Sequence, residues 1–161
     1  MAVTVAERKA QQNVRSRTLV MVRRLSATTE AVFGAWTDER QLAKWMGPKT
    51  MTVPRAKSDP REGGGYRITM RSPEGKEYTV SGQYCEIRPA ERIVMTWSWE
   101  EEGGHGPVTC VTIELKPSGK STEMHFHHAL FADKQGRDNH KSGWQGSFDK
   151  LAAFCKGKGL N

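Results

Sequence analysis

Cysteine is scarce in this 161-residue chain. Cys85, Cys110 and Cys155 are odd in number, widely spaced and without a CxxC pair, which excludes a disulfide framework and a structural zinc site. They read as buried thiols. Long apolar runs are also lacking: the longest, such as Leu19 to Val22, fall far short of the roughly 18 residues of a membrane span, so none is expected. Residues 1–24 have no apolar h-region and no small-residue cleavage site, which speaks against a secretory signal and for a cytoplasmic protein. Leu, Ile, Val and Phe together make up only about a sixth of the chain, low enough to raise the question of disorder. Five Trp and seven Met supply the missing apolar surface. Their regular spacing in strand-like runs answers the question in favour of a fold.

Acidic residues are nearly absent from the leading segment. Arg8, Lys9, Arg15, Arg17, Arg23 and Arg24 face Glu7 alone, so this stretch carries five of the seven net positive charges and leaves the body almost balanced. That distribution argues against a specific nucleic-acid site in the body. The organisation expected is a flexible or frayed basic arm over residues 1–16, one domain over 17–157 and a tail over 158–161.

Within the domain, a β-branched run from Arg17 to Leu25 gives way to Ser26-Ala27-Thr28-Thr29-Glu30, a strand followed by a helix cap. Val32, Phe33 and Trp36 then recur at helical spacing as far as Asp38, and a second short helix over Glu39–Met46 stops at Gly47-Pro48. From Thr50 to Phe131 the pattern is β, cut by turn clusters at 59–65, 72–75, 88–91, 100–107 and 116–119 into six further strands. Connections this short force antiparallel pairing. Ile93, Met95, Trp97 and Trp99 share one face of their strand, as do Val111, Ile113 and Leu115, and as do Met124, Phe126, His128 and Leu130. Arg67, Thr69, Arg71, Ser121, Glu123, His125 and His127 define the opposite, water-facing side. His140, Trp144, Ser147, Phe148, Leu151 and Cys155 mark an amphipathic final helix ending at Gly157, with a first half weakened by Gly136, Gly143 and Gly146. The fold class is therefore α+β. A curved seven-stranded antiparallel sheet follows from this order, with two short helices after the first strand and a long C-terminal helix enclosing a cavity.

Motifs for phosphate binding and nucleophilic catalysis do not form. Gly63-Gly64-Gly65 precedes a strand and lacks a helix N-terminus to hold phosphate, and Ser118-Gly119-Lys120-Ser121 resembles the end of a Walker A loop but has Glu114 where a glycine is required. There is no GxSxG. His125 and His127 could grip an ion together, yet no third ligand stands at a partner spacing, so no metal and no cofactor is expected.

The run Ala31-Val32-Phe33-Gly34-Ala35-Trp36-Thr37-Asp38 followed by Leu42-Ala43-Lys44-Trp45-Met46-Gly47-Pro48 resembles the signature of the activator of heat-shock protein 90 ATPase homologue family. Gly64-Gly65-Tyr66-Arg67, Gly82 to Ile87, Glu91 to Trp97, His128 and His140-x-x-Gly143-Trp144 are similar to it as well, so the likeness spans about residues 17–156. The resemblance implies a START-like (SRPBCC, birch-pollen-allergen-like) helix-grip fold, whose members bind hydrophobic ligands in a cavity, act as cyclases or hydrolases, or remain uncharacterised. The eukaryotic co-chaperone carries a separate N-terminal domain where this chain has a short basic arm.

Strand parity and helical spacing place Trp97, Trp99, His128, His140 and Trp144 around the expected cavity, and Trp45, Tyr66 and Tyr84 are further ligand-binding candidates. A small, largely apolar ligand is the partner that such a lining suits. His128 and His140 are read as a pair, each satisfying the other, and a general-base role for His128 with a tyrosine such as Tyr66, Tyr78 or Tyr84 as proton donor is the hydrolase or cyclase alternative. The other alternative is a protein-interaction module docking a chaperone. A homodimer is among the arrangements the sequence allows.

Overall fold

Alternation and capping in the sequence become twelve elements in the computed structural model, which describes residues 2–158. In chain order they are α1 (Val5–Ser16), β1 (Leu19–Leu25), α2 (Thr29–Thr37), α3 (Glu39–Trp45), β2 (Thr52–Ser58), β3 (Gly65–Arg71), β4 (Glu77–Arg88), β5 (Arg92–Glu101), β6 (Gly104–His105), β7 (Thr109–Ser118), β8 (Ser121–Ala129) and α4 (Lys134–Lys158). Seven strands form an antiparallel sheet in the order β1-β8-β7-β5-β4-β3-β2. β6, only two residues long, lies inside the expected 100–107 turn and pairs with the end of β5. This is an α+β helix-grip fold with α4 laid across the concave face of the sheet.

Local chemistry explains the boundaries. Thr28 caps α2 by accepting from the Ala31 N–H at 3.2 Å, and Asp38 caps α3 by accepting from Arg40 N–H at 2.8 Å. α3 stops at Gly47, whose φ of +95° an L side chain rarely adopts. Pro54 sits in β2, an edge strand, where a missing N–H is tolerated. The basic arm is helical: Thr4 and Glu7 form a capping box, and none of α1 is buried. Most of the expected tail, residues 159–161, lies outside the described residues.

The core is built on aromatic edges. Trp36 meets Trp45 at 4.8 Å between ring centroids, Phe126 meets Trp144 at 4.7 Å, and Trp97 meets Trp144 at 4.9 Å, so α2, the sheet and α4 share one cluster. Four details depart from the sequence reading. Leu130 leaves the inner face, because the chain turns out of β8 through a φ of +70° and leaves it 68% exposed. Thr69 is buried on the outer face, its hydroxyl 2.9 Å from that of Thr79 on the neighbouring strand. Cys85 is exposed and Cys110 half-buried, leaving Cys155 as the one buried thiol of the three. α4 is also continuous from Lys134 through Gly157 to Lys158 instead of weak at its start and stopped at Gly157. Its glycines permit close approach: a Cβ on Gly146 would lie 2.8 Å from Lys49 N, and one on Gly143 3.6 Å from Pro48 Cγ. Among the described residues no helix is long and apolar enough to cross a membrane.

Candidate functional site

A pocket of about 250 Å³ opens between α4, the concave face of the sheet and the segment joining α3 to β2. The sheet contributes Met70, Tyr78, Trp97 and Trp99. α4 contributes Asn139, His140, Gly143, Trp144 and Ser147, and the α3–β2 segment closes one side with Met46, Gly47, Pro48 and Met51. Lys150 fastens that segment to α4, its Nζ donating to the carbonyls of Met46, Pro48 and Met51 at 3.3, 3.1 and 3.1 Å. Burial lowers the Lys150 pKa, while three acceptors matched to the three N–H bonds of an ammonium favour the charged form.

Four of the eight residues singled out from the sequence line this pocket: Trp97, Trp99, His140 and Trp144. The other four are packed in the surrounding core with their polar atoms bonded. Trp45 Nε1 donates to Ala35 O at 2.9 Å, Tyr66 donates its hydroxyl to Thr96 O, and the Tyr84 hydroxyl is 2.9 Å from Ser58 Oγ. Burial holds the pKa of both tyrosines above its usual value. His128 lies behind Trp144, fully buried.

The two histidines do not bond each other, although their rings stand 5.1 Å apart. Trp144 Nε1 donates to His128 Nδ1 at 3.1 Å, which leaves the His128 proton on Nε2, 2.7 Å from Thr109 Oγ1. The Thr109 hydroxyl passes its own proton to Trp97 O at 2.9 Å. Between β5 and α4, Trp99 Nε1 donates to His140 Nε2 at 2.9 Å, and within α4 His140 Nδ1 donates to Gly136 O at 2.8 Å. Both imidazoles are thus neutral, in opposite tautomers, with every ring nitrogen engaged. Burial, with a smaller contribution from His140, pushes the His128 pKa down to about 2. Burial also lowers that of His140, against the pull of the Gly136 carbonyl. A general base needs a lone pair within reach of substrate, and His128 has none to offer. The hydrolase or cyclase role considered for it does not fit this geometry.

Sequence reasoning missed Met46, Pro48, Met51 and Met70 as lining residues, and it missed Phe131, whose ring lies 4.2 Å from that of His128 and 4.9 Å from that of His140. Tyr78, weighed only as a proton donor, stands 38% exposed among the pocket's lining residues with the Lys76 ammonium 5.2 Å from its ring centre. One lining residue is anomalous: among the described residues, Trp97 Nε1 is the buried side-chain nitrogen or oxygen without a hydrogen-bond partner. The outer-face histidines behave as ordinary surface groups, with His125 Nε2 2.5 Å from Glu123 Oε1 and His127 exposed.

No curated protein matches the sequence. Solved structures do. A protein from Chromobacterium violaceum is 29% identical, with a TM-score of 0.79 over 86% of this chain and 97% of its own. A protein from Silicibacter pomeroyi named AHSA1 is also 29% identical, with a TM-score of 0.78 over 84% of this chain and 95% of its own. The solution structure of an Arthrobacter aurescens protein, 22% identical, shares the fold with a TM-score of 0.77 over 89% and 88%. The family described as Activator of Hsp90 ATPase homolog 1-like protein matches residues 26–156, from the cap of α2 to the last turns of α4. The chain belongs to that family.

Proposed function

We propose that this protein binds a small, largely apolar molecule in the pocket between the sheet and α4. The observation that carries the reading is the lining: three tryptophans and three methionines around about 250 Å³, with the polar atoms of Trp99, Trp144 and His140 already bonded within the protein. Apolar walls with few directional groups are what a binding site for an uncharged ligand requires. An apolar cavity of about 150 Å³ takes benzene, so this volume suits a molecule of roughly ten non-hydrogen atoms. Methionine walls adapt to ligand shape more readily than branched side chains do.

Naphthalene has the size required, and the five indole N–H resonances provide internal controls. Titration should shift those of Trp97, Trp99 and Trp144 while leaving Trp36 and Trp45, which do not line the pocket, nearly still. Equal shifts in all five, or none, would remove the ligand-binding reading and return the alternative of a surface that docks a chaperone.

A further inference from the structure

The two edges of the sheet are finished differently. β2 is blocked: it carries Pro54, its pairing with β3 shifts register between Thr52 and Arg55, and the Ser58 N–H at its end donates to the Glu39 carboxylate of α3 at 3.0 Å. Such devices keep an edge from pairing with another chain. β1, at the opposite edge, has none of them. Every residue from Leu19 to Leu25 pairs with β8 without a register shift, and no proline or glycine interrupts the strand. On its outer face Val20 and Val22 are 58% and 52% exposed, beside His127 and His125 of β8. Backbone N–H and C=O groups turn alternately to the two sides of a strand. Arg17 O turns to the N–H of Phe131, just past β8, and the next N–H, that of Thr18, turns the other way to Arg15 O. Val20 and Val22, two and four residues further on, therefore direct their backbone groups away from the sheet.

We propose that β1 pairs antiparallel with β1 of a second copy of this chain, extending the sheet across a two-fold axis at Met21. The strand is self-complementary in that register. Met21 meets its own copy, each Val20 lies opposite Val22 of the other copy, and Arg23 and Arg24 fall opposite Leu19 and Thr18. The valines of both copies then form one apolar strip on the outer face, and each Val20–Val22 pair exchanges both of its backbone hydrogen bonds. An axis at Val20 or Val22 keeps a single valine pair, and an axis at Arg23 opposes arginine to arginine, which is destabilising. This match favours a second copy over a foreign strand. The contact is isologous, and the blocked β2 edge stops growth at two copies.

Sedimentation of the whole chain over a range of concentrations tests this, with amide hydrogen exchange reporting on the edge. The parent should pass from monomer to dimer as concentration rises, and exchange at Val20 and Val22 should slow in step. V20K/V22K opposes two ammonium groups at each valine pair, so it should weaken the dimer by about tenfold or more. Its melting temperature should not change, both positions being exposed. V20K/V22E opposes ammonium to carboxylate in this register and should restore the dimer. A monomer at every concentration overturns the proposal and leaves the edge to an extended segment of another protein. A dimer that survives V20K/V22K overturns it by placing the contact elsewhere, and V20K/V22E as weak as V20K/V22K overturns the register. Should the variants fold poorly, concentration-dependent protection of Val20 and Val22 in the parent decides alone.

Discussion

His128 makes the protein acid-sensitive between pH 7 and pH 5, above the range in which its shifted carboxylates respond. Its folded-state pKa is about 2, against about 6.5 for an exposed imidazole. Between those values the unfolded chain takes up a proton that the folded chain refuses, so stability falls as pH drops below about 6.5. From pH 7 to pH 5 this linkage amounts to about 2 kcal/mol from His128 alone, with His140 acting in the same direction. The carboxylates whose pKa values are lowered, Glu7, Glu77 and Glu100, start from a reference of 4.5 and so lose their contribution mainly at lower pH. Urea denaturation of the parent and of His128→Gln at both pH values isolates the effect. The variant is less stable at pH 7, since Trp144 Nε1 and Thr109 Oγ1 lose their partner, but it should lose about 2 kcal/mol less than the parent on going to pH 5. For a chain of this length that difference appears as roughly 4–8 °C in melting temperature. Parallel losses in the two proteins would show that His128 is not held neutral by burial, and the closed chain from Trp144 through Thr109 would have to be abandoned.

The glycines of α4 offer a paired test. Gly143→Ala places a methyl at ordinary contact distance from Pro48 and should stabilise by up to about 1 kcal/mol through helix propensity, whereas Gly146→Ala drives one against the Lys49 backbone, which Lys150 holds in place, and should be net destabilising; equal gains in denaturation midpoint would mean that the α3–β2 segment is not seated on α4. Deleting residues 2–14 should leave the melting temperature within a few degrees, about 1 kcal/mol, because nothing in α1 is buried and the ties of this region to the body, Phe131 N–H to Arg17 O and Arg137 to Arg15 O, fall beyond the cut. The same deletion removes Arg8 and Lys9 against Glu7, one of the seven net positive charges, so any DNA affinity should keep most of its salt dependence; loss of the salt slope would place the contact on Arg8 and Lys9.

What the sequence revealed follows from what repeats along it. Parity put Ile93, Met95 and Trp97 inside, and helical spacing put Trp144, Phe148 and Leu151 opposite them, because both periods are fixed by backbone geometry. Periodicity says which way a side chain points, and not whether it meets another side chain or open space. Trp45 and Trp97 look alike in sequence, yet one is wedged against Trp36 and the other borders the pocket. The α3–β2 wall was invisible for a different reason: Gly47, Pro48 and Met51 lie in a connection without period, held by carbonyls that any sequence supplies. Gly143 and Gly146 read as helix weaknesses since the loop packed against them is about a hundred residues distant in sequence. The histidines were correctly placed inward and wrongly paired, because partner choice depends on angstrom-scale geometry: each found an indole instead of the other.

A crystal structure of the protein soaked with naphthalene tests the central claim most directly. The account predicts planar density in the pocket, bounded by Met70, Trp97 and Trp144, with the His128 and His140 hydrogen bonds unchanged. Density found only on the outer face of the sheet, or a pocket closed by rearranged Met46, Met51 and Met70 side chains with no guest, would contradict it.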